Sequence, residues 1–498
     1  MANIWVLMPT FIVKTLGCKV NQYEGAAAAQ TLRQAGLTDC GDAQPPDLCV
    51  IHTCCVTARA AAKTRQLIRR LAAQYPQAVL TVTGCYASAD AGRLRRIPGV
   101  RSVAGHQDDL RGHLTQLASE LLHRKADLAG SPQGRTHAGR NDATAVSTSR
   151  ATTGISTNSY PSDSTPNRAD SFNSVKDIRT PAQGDSPAQN GRGAEPLAAL
   201  NRFDGRCRAM LKVQDGCDAM CSYCIVPHLR RRIYSRPAEA VKSELRRLIA
   251  SGHREVVLCG VCLGAYGRAT TRPGCDGDDH LPGLLAELAP LAAPARLRLS
   301  SLHPAEVTAR LLEVMAGHDN ICHHLHLSLQ SGSAAVLERM NRRYTPEQYL
   351  QAVDRAKRHL DAPAITTDAI VGFPGETEAD FEATLAVVRA VGFARVHVFP
   401  FSPREGTPAA QWADQRPATD VVRQRCEALK TLAGQLAARY RARFVGRTVR
   451  VLCESPDAGL SDRYLRVTFE PAGAEPIGRI VSVRIEAATA ISLTGRIV

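Results

Sequence analysis

The chain has 498 residues, 44% of them hydrophobic, and a formal net charge of +15 with a pI near 9.3. That length implies about three domains of ordinary size, the composition suits a globular protein, and no run of ~20 apolar residues is present to span a membrane. Sixteen cysteines without a secretory leader point to a reducing cytoplasm and to metal or redox work instead of disulfide staples, while the basic balance favours a polyanionic partner such as nucleic acid.

In chain order, a first region over 10–124 alternates apolar runs with helical stretches. Residues 10–16, 47–52 and 78–83 read as strands, and 26–35, 58–74 and 110–123 as helices. The apolar run 4–13 lacks a basic leader and a small-residue cleavage site, so it reads as the approach to the first strand. Such alternation predicts a parallel sheet with crossover helices. Cys18, Cys54 and Cys85 each follow one of these strands. Strand ends in a parallel α/β sheet converge on one crevice, so the three either meet there or are separate buried core cysteines.

A compositional break comes over 125–200, rich in Ser, Thr, Asn, Gly, Asp and Arg, with Tyr160 and Phe172 as its aromatic residues. It has too little apolar surface to fold alone and reads as a disordered insertion. Over 203–440, strands are expected at 209–214, 255–259, 296–301, 324–329, 364–371 and 395–400, with helices at 238–249, 306–315, 346–359 and 378–391. Repeated β-then-α units predict a barrel-like sheet with its site at the strands' C-terminal ends. Short alternating runs at 448–453, 464–469, 480–485 and 490–493, broken by Gly, Pro and Asp, give the last segment, 441–498, the pattern of a small all-β barrel. The expected fold class is therefore α/β, with a parallel N-terminal domain, a partial (β/α)6 barrel and a small terminal β-barrel.

Cys217, Cys221 and Cys224 stand in QDGCDAMCSYC with the spacing C-x3-C-x2-C, just past the first strand of the barrel-like region. Three thiolates this close can hold three irons of a 4Fe–4S cluster and leave the fourth iron open for a ligand. A zinc site would want a fourth ligand; the nearest pair, Cys259 and Cys262, lies beyond the usual ribbon spacing and at the end of an apolar run. The triple closely resembles that of the radical S-adenosylmethionine (SAM) enzymes.

The stretches GCKVNQYE (17–24), VIHTCCVT (50–57), VTGCYA (82–87), KVQDGCDAMCSYCIVP (212–227), LHLSLQSGS (325–333), TTDAIVGFPGETEADF (366–381) and VFPFSPREGTPAA (398–410) resemble the methylthiotransferases. Within that family, GCKVNQYE is similar to the branch called MtaB. The resemblance covers nearly the whole chain outside the insertion. It implies a radical SAM domain, a second 4Fe–4S cluster on Cys18, Cys54 and Cys85, and a terminal RNA-binding barrel called TRAM. It implies conversion of threonylcarbamoyl-adenosine beside the tRNA anticodon to its 2-methylthio form; sister branches act on isopentenyl-adenosine or on a ribosomal-protein aspartate. Carbon 2 of adenosine is neither acidic nor attached to a leaving group, so proton transfer cannot replace its hydrogen, whereas SAM-derived radical chemistry can. No side chain is expected as a catalytic acid or base.

Tyr223 is expected to pack on the SAM adenine or in the core, the tight turn Gly372, Phe373, Pro374 and Gly375 to approach SAM or to be a plain turn, and Gln330 and Ser331 to face the SAM cavity. Arg230, Arg231, Arg232 and Arg236, just past the triple, are expected to bind RNA phosphates or to form a solvated basic face. Expected partners are a tRNA anticodon stem-loop, a reducing electron donor and a sulfur source, with the chain a cytoplasmic monomer. Two departures stand out: Cys259 and Cys262 occupy positions where the family commonly has Thr and Asn, and the barrel stretch GLSDRYLRVTFE (459–470) is poorer in aromatics at its start, which weakens base stacking there. Cys55, beside Cys54, occupies a position usually held by another small polar residue.

Overall fold

The computed structural model describes residues 8–41, 43–130, 197–271, 280–471 and 476–498. The chain forms two compact units, one of 1–125 with 194–498 and one of 126–193. Of the second, only the last turn of the helix Leu110–Gly130 is described. The expected insertion over 125–200 therefore lies almost wholly outside the described residues. In the first unit, the Ala198 amide donates to Thr31 Oγ1 at 3.1 Å.

In the first unit, β1 (Thr10–Thr15), β2 (Thr38–Asp39), β3 (Leu48–Thr53), β4 (Val79–Gly84) and β5 (Val100–Ala104) form one sheet in the order β2-β1-β3-β4-β5. All its pairings are parallel. Every residue of β3 is buried, as expected of a central strand covered on both faces. The edge strand β5 is half-exposed and lacks that apolar signal, which is why the sequence did not announce it.

A second group of strands comes next: β6 (Arg208–Asp215), β7 (Tyr234–Ser235), β8 (Glu255–Gly260), β9 (Arg296–Leu299), β10 (Ser301–Leu302), β11 (His324–Leu327), β12 (Ala364–Val371) and β13 (Arg395–Pro400). They pair as β7-β6-β8-β9 and β10-β11-β12-β13. β9 and β10 are two pieces of one run interrupted at Ser300, and a parallel bridge from Leu297 to Ile321 carries the sheet across the break. The six-stranded parallel arc of a partial barrel results, with β7 as a short antiparallel edge. The helix expected from 306 starts at Ala309, because Pro304–Glu306 forms a 3-10 turn and Thr308 caps the helix Ala309–Ala316. Two helices absent from the sequence reading cover the arc, His280–Ala292 and the 24-residue Thr419–Ala442.

The last strands, β14 (Thr448–Ser455), β15 (Ala458–Ser461), β16 (Arg466–Phe469), β17 (Ile480–Ala488) and β18 (Leu493–Ile497), close into a barrel ordered β14-β15-β16-β18-β17. The strand expected at 490–493 begins only at Leu493, because Thr489 Oγ1 accepts from the amides of Ile491 and Ser492 and turns the chain there.

This barrel docks on the N-terminal ends of β8, β9 and β11. Glu255, fully buried, accepts from Arg296 Nε at 2.7 Å and Arg298 Nε at 2.8 Å. Those guanidinium groups then donate to the carbonyls of Arg450, Leu460, Ser461 and Asp462. Tyr464 lies under the Arg298 and Arg208 guanidinium groups, 5.0 and 5.3 Å from its ring centre, and stacks on His324 at 5.0 Å. Burial alone would raise the Glu255 carboxyl, but the Arg298 and Arg296 charges outweigh it and hold it well below the usual carboxylate range.

Replacing Glu255 with Leu strands two buried guanidinium groups and should cost about 3–5 kcal/mol, read as a fall in the urea midpoint at pH 7. Since the folded-state pKa is depressed below its unfolded value near 4.5, the wild-type contribution is complete above that pH and fades as pH falls. The variant should therefore lose acid sensitivity at low pH as well. An unchanged midpoint would mean that the carbonyl bonds alone hold the barrel.

Candidate cofactor site

The loop after β1 places Gly17 at φ +116°. A Cβ there would stand 2.6 Å from the Cys54 Cβ, so only glycine lets the two loops close up. Cys18 then caps the helix Lys19–Gln34. Cys54 follows β3, and Cys85 follows β4 as the first residue of the short helix Cys85–Ala89. One side chain ties the three loops together. Asn21 Nδ2 donates to Leu16 O at 3.0 Å and Thr53 O at 2.8 Å. Its Oδ1 lies 3.8 Å from Cys18 Sγ and 3.7 Å from Cys85 Sγ. The strand ends thus bring Cys18, Cys54 and Cys85 to one place. Neighbouring Cys55 is fully buried in the apolar core of this lobe.

The other triple hangs from the end of β6. Gly216, at φ +82°, turns the chain against the Arg232 carbonyl, where no Cβ would fit. The Cys217 amide donates to Arg230 O at 3.0 Å and closes the loop. Ser222 Oγ donates to Arg339 O at 2.7 Å, and Asn341 Nδ2 donates to Met220 O at 2.8 Å, so the loop is held from both sides. Arg342 donates to Cys221 Sγ at 3.5 Å. Burial pushes the Cys85 and Cys224 thiols up to about 12, and raises Cys54 and Cys217 in the same direction.

The two triples are joined by charge. Arg230, 6% exposed and just past Cys224, donates to Glu24 Oε2 at 2.6 Å and to Asp215 Oδ1 at 2.8 Å. Lys212 donates to the same two carboxylates at 2.6 and 2.5 Å. His52 meets Glu24 at 3.1 Å and Thr83 at 2.8 Å. Arg230 Nη2 also lies 3.8 Å from Cys85 Sγ. His106, 3.4 Å from Cys85 Sγ, is pushed down to about 3 by burial and then by the Arg230 charge, so it is neutral there. Ile225 and Leu229 bury themselves in the N-terminal lobe's core, and Ser402 beyond β13 accepts from the Ala58 amide at 3.0 Å.

These contacts change part of the sequence reading. Arg230 and Arg236 are engaged within the protein. Arg230 is enclosed by carboxylates, and Arg236 donates to buried Glu244 at 2.6 Å and to Tyr23 Oη at 3.0 Å. Arg231 and Arg232 are exposed. Ser331 does not face a cavity: it is fully buried, with its hydroxyl against Thr384 at 3.3 Å. Phe373 is fully buried edge-to-face against Phe401 and Trp412, and Tyr223 packs on that same aromatic cluster. The Gly372 and Gly375 amides are already taken, by Glu376 Oε2 and Gln415 O, both at 2.8 Å. Buried Pro374 lies between them. Gln330 is half-buried at the end of β11, its amide bonded to Asp368 O at 2.9 Å. Of the two departing cysteines, Cys259 is fully buried and Cys262 donates to Glu306 Oε1 at 3.7 Å.

The sequence reading missed Asn21, Glu24 and Asp215 as site residues, although all three stand inside the motif stretches 17–24 and 212–227. Arg342 carried no motif signal. Among the described residues no three His, Cys, Asp or Glu side chains close on a single-ion position. Each triple instead offers sulfur alone, the donor set that suits iron–sulfur chemistry. Each also has a guanidinium beside one sulfur, which favours a thiolate ligand.

Comparison with known proteins agrees with this arrangement. Residues 211–388 match the radical SAM superfamily, and residues 10–105 match the uncharacterized protein family UPF0004. Threonylcarbamoyladenosine tRNA methylthiotransferase MtaB of Bacillus subtilis is 33% identical over 96% of this chain and 94% of its own. A tRNA-2-methylthio-N(6)-dimethylallyladenosine synthase of Anoxybacillus flavithermus is 40% identical, over 59% of this chain and 56% of its own. The radical SAM methyltransferase TsrM of Kitasatospora setae shares the fold at TM-score 0.51 and 15% identity, over 81% of this chain and 77% of that one.

Replacing Arg230 with Met leaves Glu24 short of its main partner and should cost about 3–5 kcal/mol in urea unfolding. Adding Glu24→Gln should cost less than the sum of the two single changes, since the groups are directly coupled. Strict additivity would mean that the clamp does not join the two lobes.

Proposed function

The chain belongs to the methylthiotransferase family of radical SAM enzymes, and from that premise we propose that it converts N6-threonylcarbamoyladenosine beside the tRNA anticodon to the 2-methylthio derivative. The observation that carries this reading is the pair of sulfur triples tied into one crevice by Arg230, Glu24 and Asp215. We assign Cys217, Cys221 and Cys224 to the SAM-binding 4Fe–4S cluster, and Cys18, Cys54 and Cys85 to the second one. When bound, SAM and these clusters supply the one-electron and sulfur chemistry that an unactivated aromatic C–H bond demands.

The chain's own residues do the positioning. Asn21 holds the three N-terminal loops at fixed spacing. Ser222 and Asn341 do the same for the other triple. Arg342 and Arg230 place positive charge beside sulfur. Exposed Arg231 and Arg232, on a chain of net charge +15, offer phosphate contacts. Phe399, 44% exposed on the open edge strand β13 and stacked on His397, offers a face for an unpaired base of a loop.

In domain terms, residues 10–124 carry the second cluster, 203–440 the SAM chemistry and 441–498 the RNA-binding barrel. A reducing electron donor and a sulfur source complete the reaction, which we place in the cytoplasm with the chain as a monomer. No described helix is long and apolar enough to cross a membrane. A second reading, methylthiolation of dimethylallyl-adenosine, is favoured by the higher identity of one relative over its shorter match.

Anaerobic reconstitution should give about eight irons per chain, as two four-iron clusters require, and Cys18→Ala should bring that to about four. A wild-type value near four, unchanged by Cys18→Ala, would refute the second cluster. Mass spectrometry of tRNA nucleosides should show the 2-methylthio form of threonylcarbamoyl-adenosine disappear on deletion of the gene in a strain with no other such enzyme. Loss of the dimethylallyl form in its place would select the second reading.

A further inference from the structure

Lys19 directly follows Cys18 and opens the helix Lys19–Gln34. Val20 and Tyr23 of that helix pack into the same core as Met210, Val257 and Leu258 of β6 and β8, so the helix start lies against the barrel arc. Lys19 is half-buried, and no hydrogen bond or ion pair engages it among the described residues. Its neighbours mark where the ammonium points. Its charge bears on Cys259 of β8, His324 of β11, Asp368 of β12, His397 of β13 and Tyr464 of the terminal barrel. The start of this helix, packed against β6 and β8, thus sets Lys19 beside the polar end groups of four strands of the arc.

The lumen is polar and partly unsatisfied. His326 binds Asp368 at 3.2 Å and Thr366 at 3.0 Å, and His324 binds Thr366 at 3.1 Å. His324 Nδ1 and Ser300 Oγ are buried without a partner. Four carboxylates of this region are committed elsewhere: Asp368 to His326, Glu255 to two arginines, and Glu24 and Asp215 to Arg230 and Lys212. A half-buried cation without a protein partner is open to an anionic group on the ligand.

We propose that Lys19 binds the carboxylate of the threonyl group carried on the substrate adenine, and so sets the enzyme's choice among modified adenosines. This inference rests on the functional reading above. A dimethylallyl group carries no charge; entering the same lumen, it would leave the ammonium unpaired, so the residue that attracts one substrate also rejects the other.

The test uses the full-length reconstituted protein and anticodon stem-loops bearing threonylcarbamoyl-adenosine, its carboxylate methyl ester, or plain adenosine, with binding read by fluorescence anisotropy at fixed salt. Wild type should prefer the free acid to the ester by on the order of 10–100-fold, as expected for a desolvated charge pair. Lys19→Met should bind acid and ester alike, and Lys19→Arg should keep part of the preference. An acid preference retained in Lys19→Met would overturn the proposal while leaving the functional reading intact. Equal weakening of all three RNAs, or loss of RNA-independent SAM cleavage in Lys19→Met, would also overturn it by assigning the residue to phosphate or SAM. A wild type that does not distinguish threonylcarbamoyl-adenosine from adenosine would sink the functional reading itself and this inference with it.

Discussion

Arg230 sits between two carboxylates, Glu24 from the N-terminal helix and Asp215 from the end of β6, almost wholly out of solvent. Taking such charges from water costs several kcal/mol per ion, and their attraction repays it only when geometry is good and every lone pair is used. Here Lys212, His52 and Asn21 supply the remaining partners. The net contribution to stability is therefore modest, while the geometric demand is strict. The network is complete only when the loop carrying Cys217, Cys221 and Cys224 stands against the loops carrying Cys18, Cys54 and Cys85. Apolar contact from Ile225 and Leu229 brings the surfaces together, and the ions fix their register.

A second buried network works at the other end of the strands. Glu255, Arg296 and Arg298 stand where β8 and β9 begin, and they hold the terminal barrel through its backbone carbonyls. Bonding to carbonyls makes the docking insensitive to side-chain identity on the barrel's partner loop. It also leaves the C-terminal ends of the strands, where both triples lie, clear of that barrel. Lys19 belongs to neither network.

The arc strands were legible as apolar runs, and four regular helices as 3.6-residue patterns. β12, β13 and the helices Pro346–His359 and Glu378–Val391 lie where the pattern put them. The half-exposed edge strand β5 and the helix Thr419–Ala442, whose buried face includes Arg425 and Arg441, blur that signal with polar residues. The arginine run shows the same limit at the site. Four arginines over 230–236 read alike in sequence, yet Arg230 is buried against Glu24 and Asp215, half-buried Arg236 is paired with Glu244, and Arg231 and Arg232 are exposed. Charge pairing across two hundred residues leaves no local trace.

The sequence by itself singled out Cys217, Cys221 and Cys224, because their spacing is a local property, whereas Cys18, Cys54 and Cys85 stood out from other core cysteines only through the family resemblance. It determined the fold class for the same reason, since hydrophobic period is written residue by residue. Only the tertiary structure decided which partners those residues have. That Asn21 braces three loops, and that Ser331 and Phe373 are buried, are facts about groups far apart in the chain. Burial and charge compensation are properties of the assembled fold, and no short window of sequence contains them.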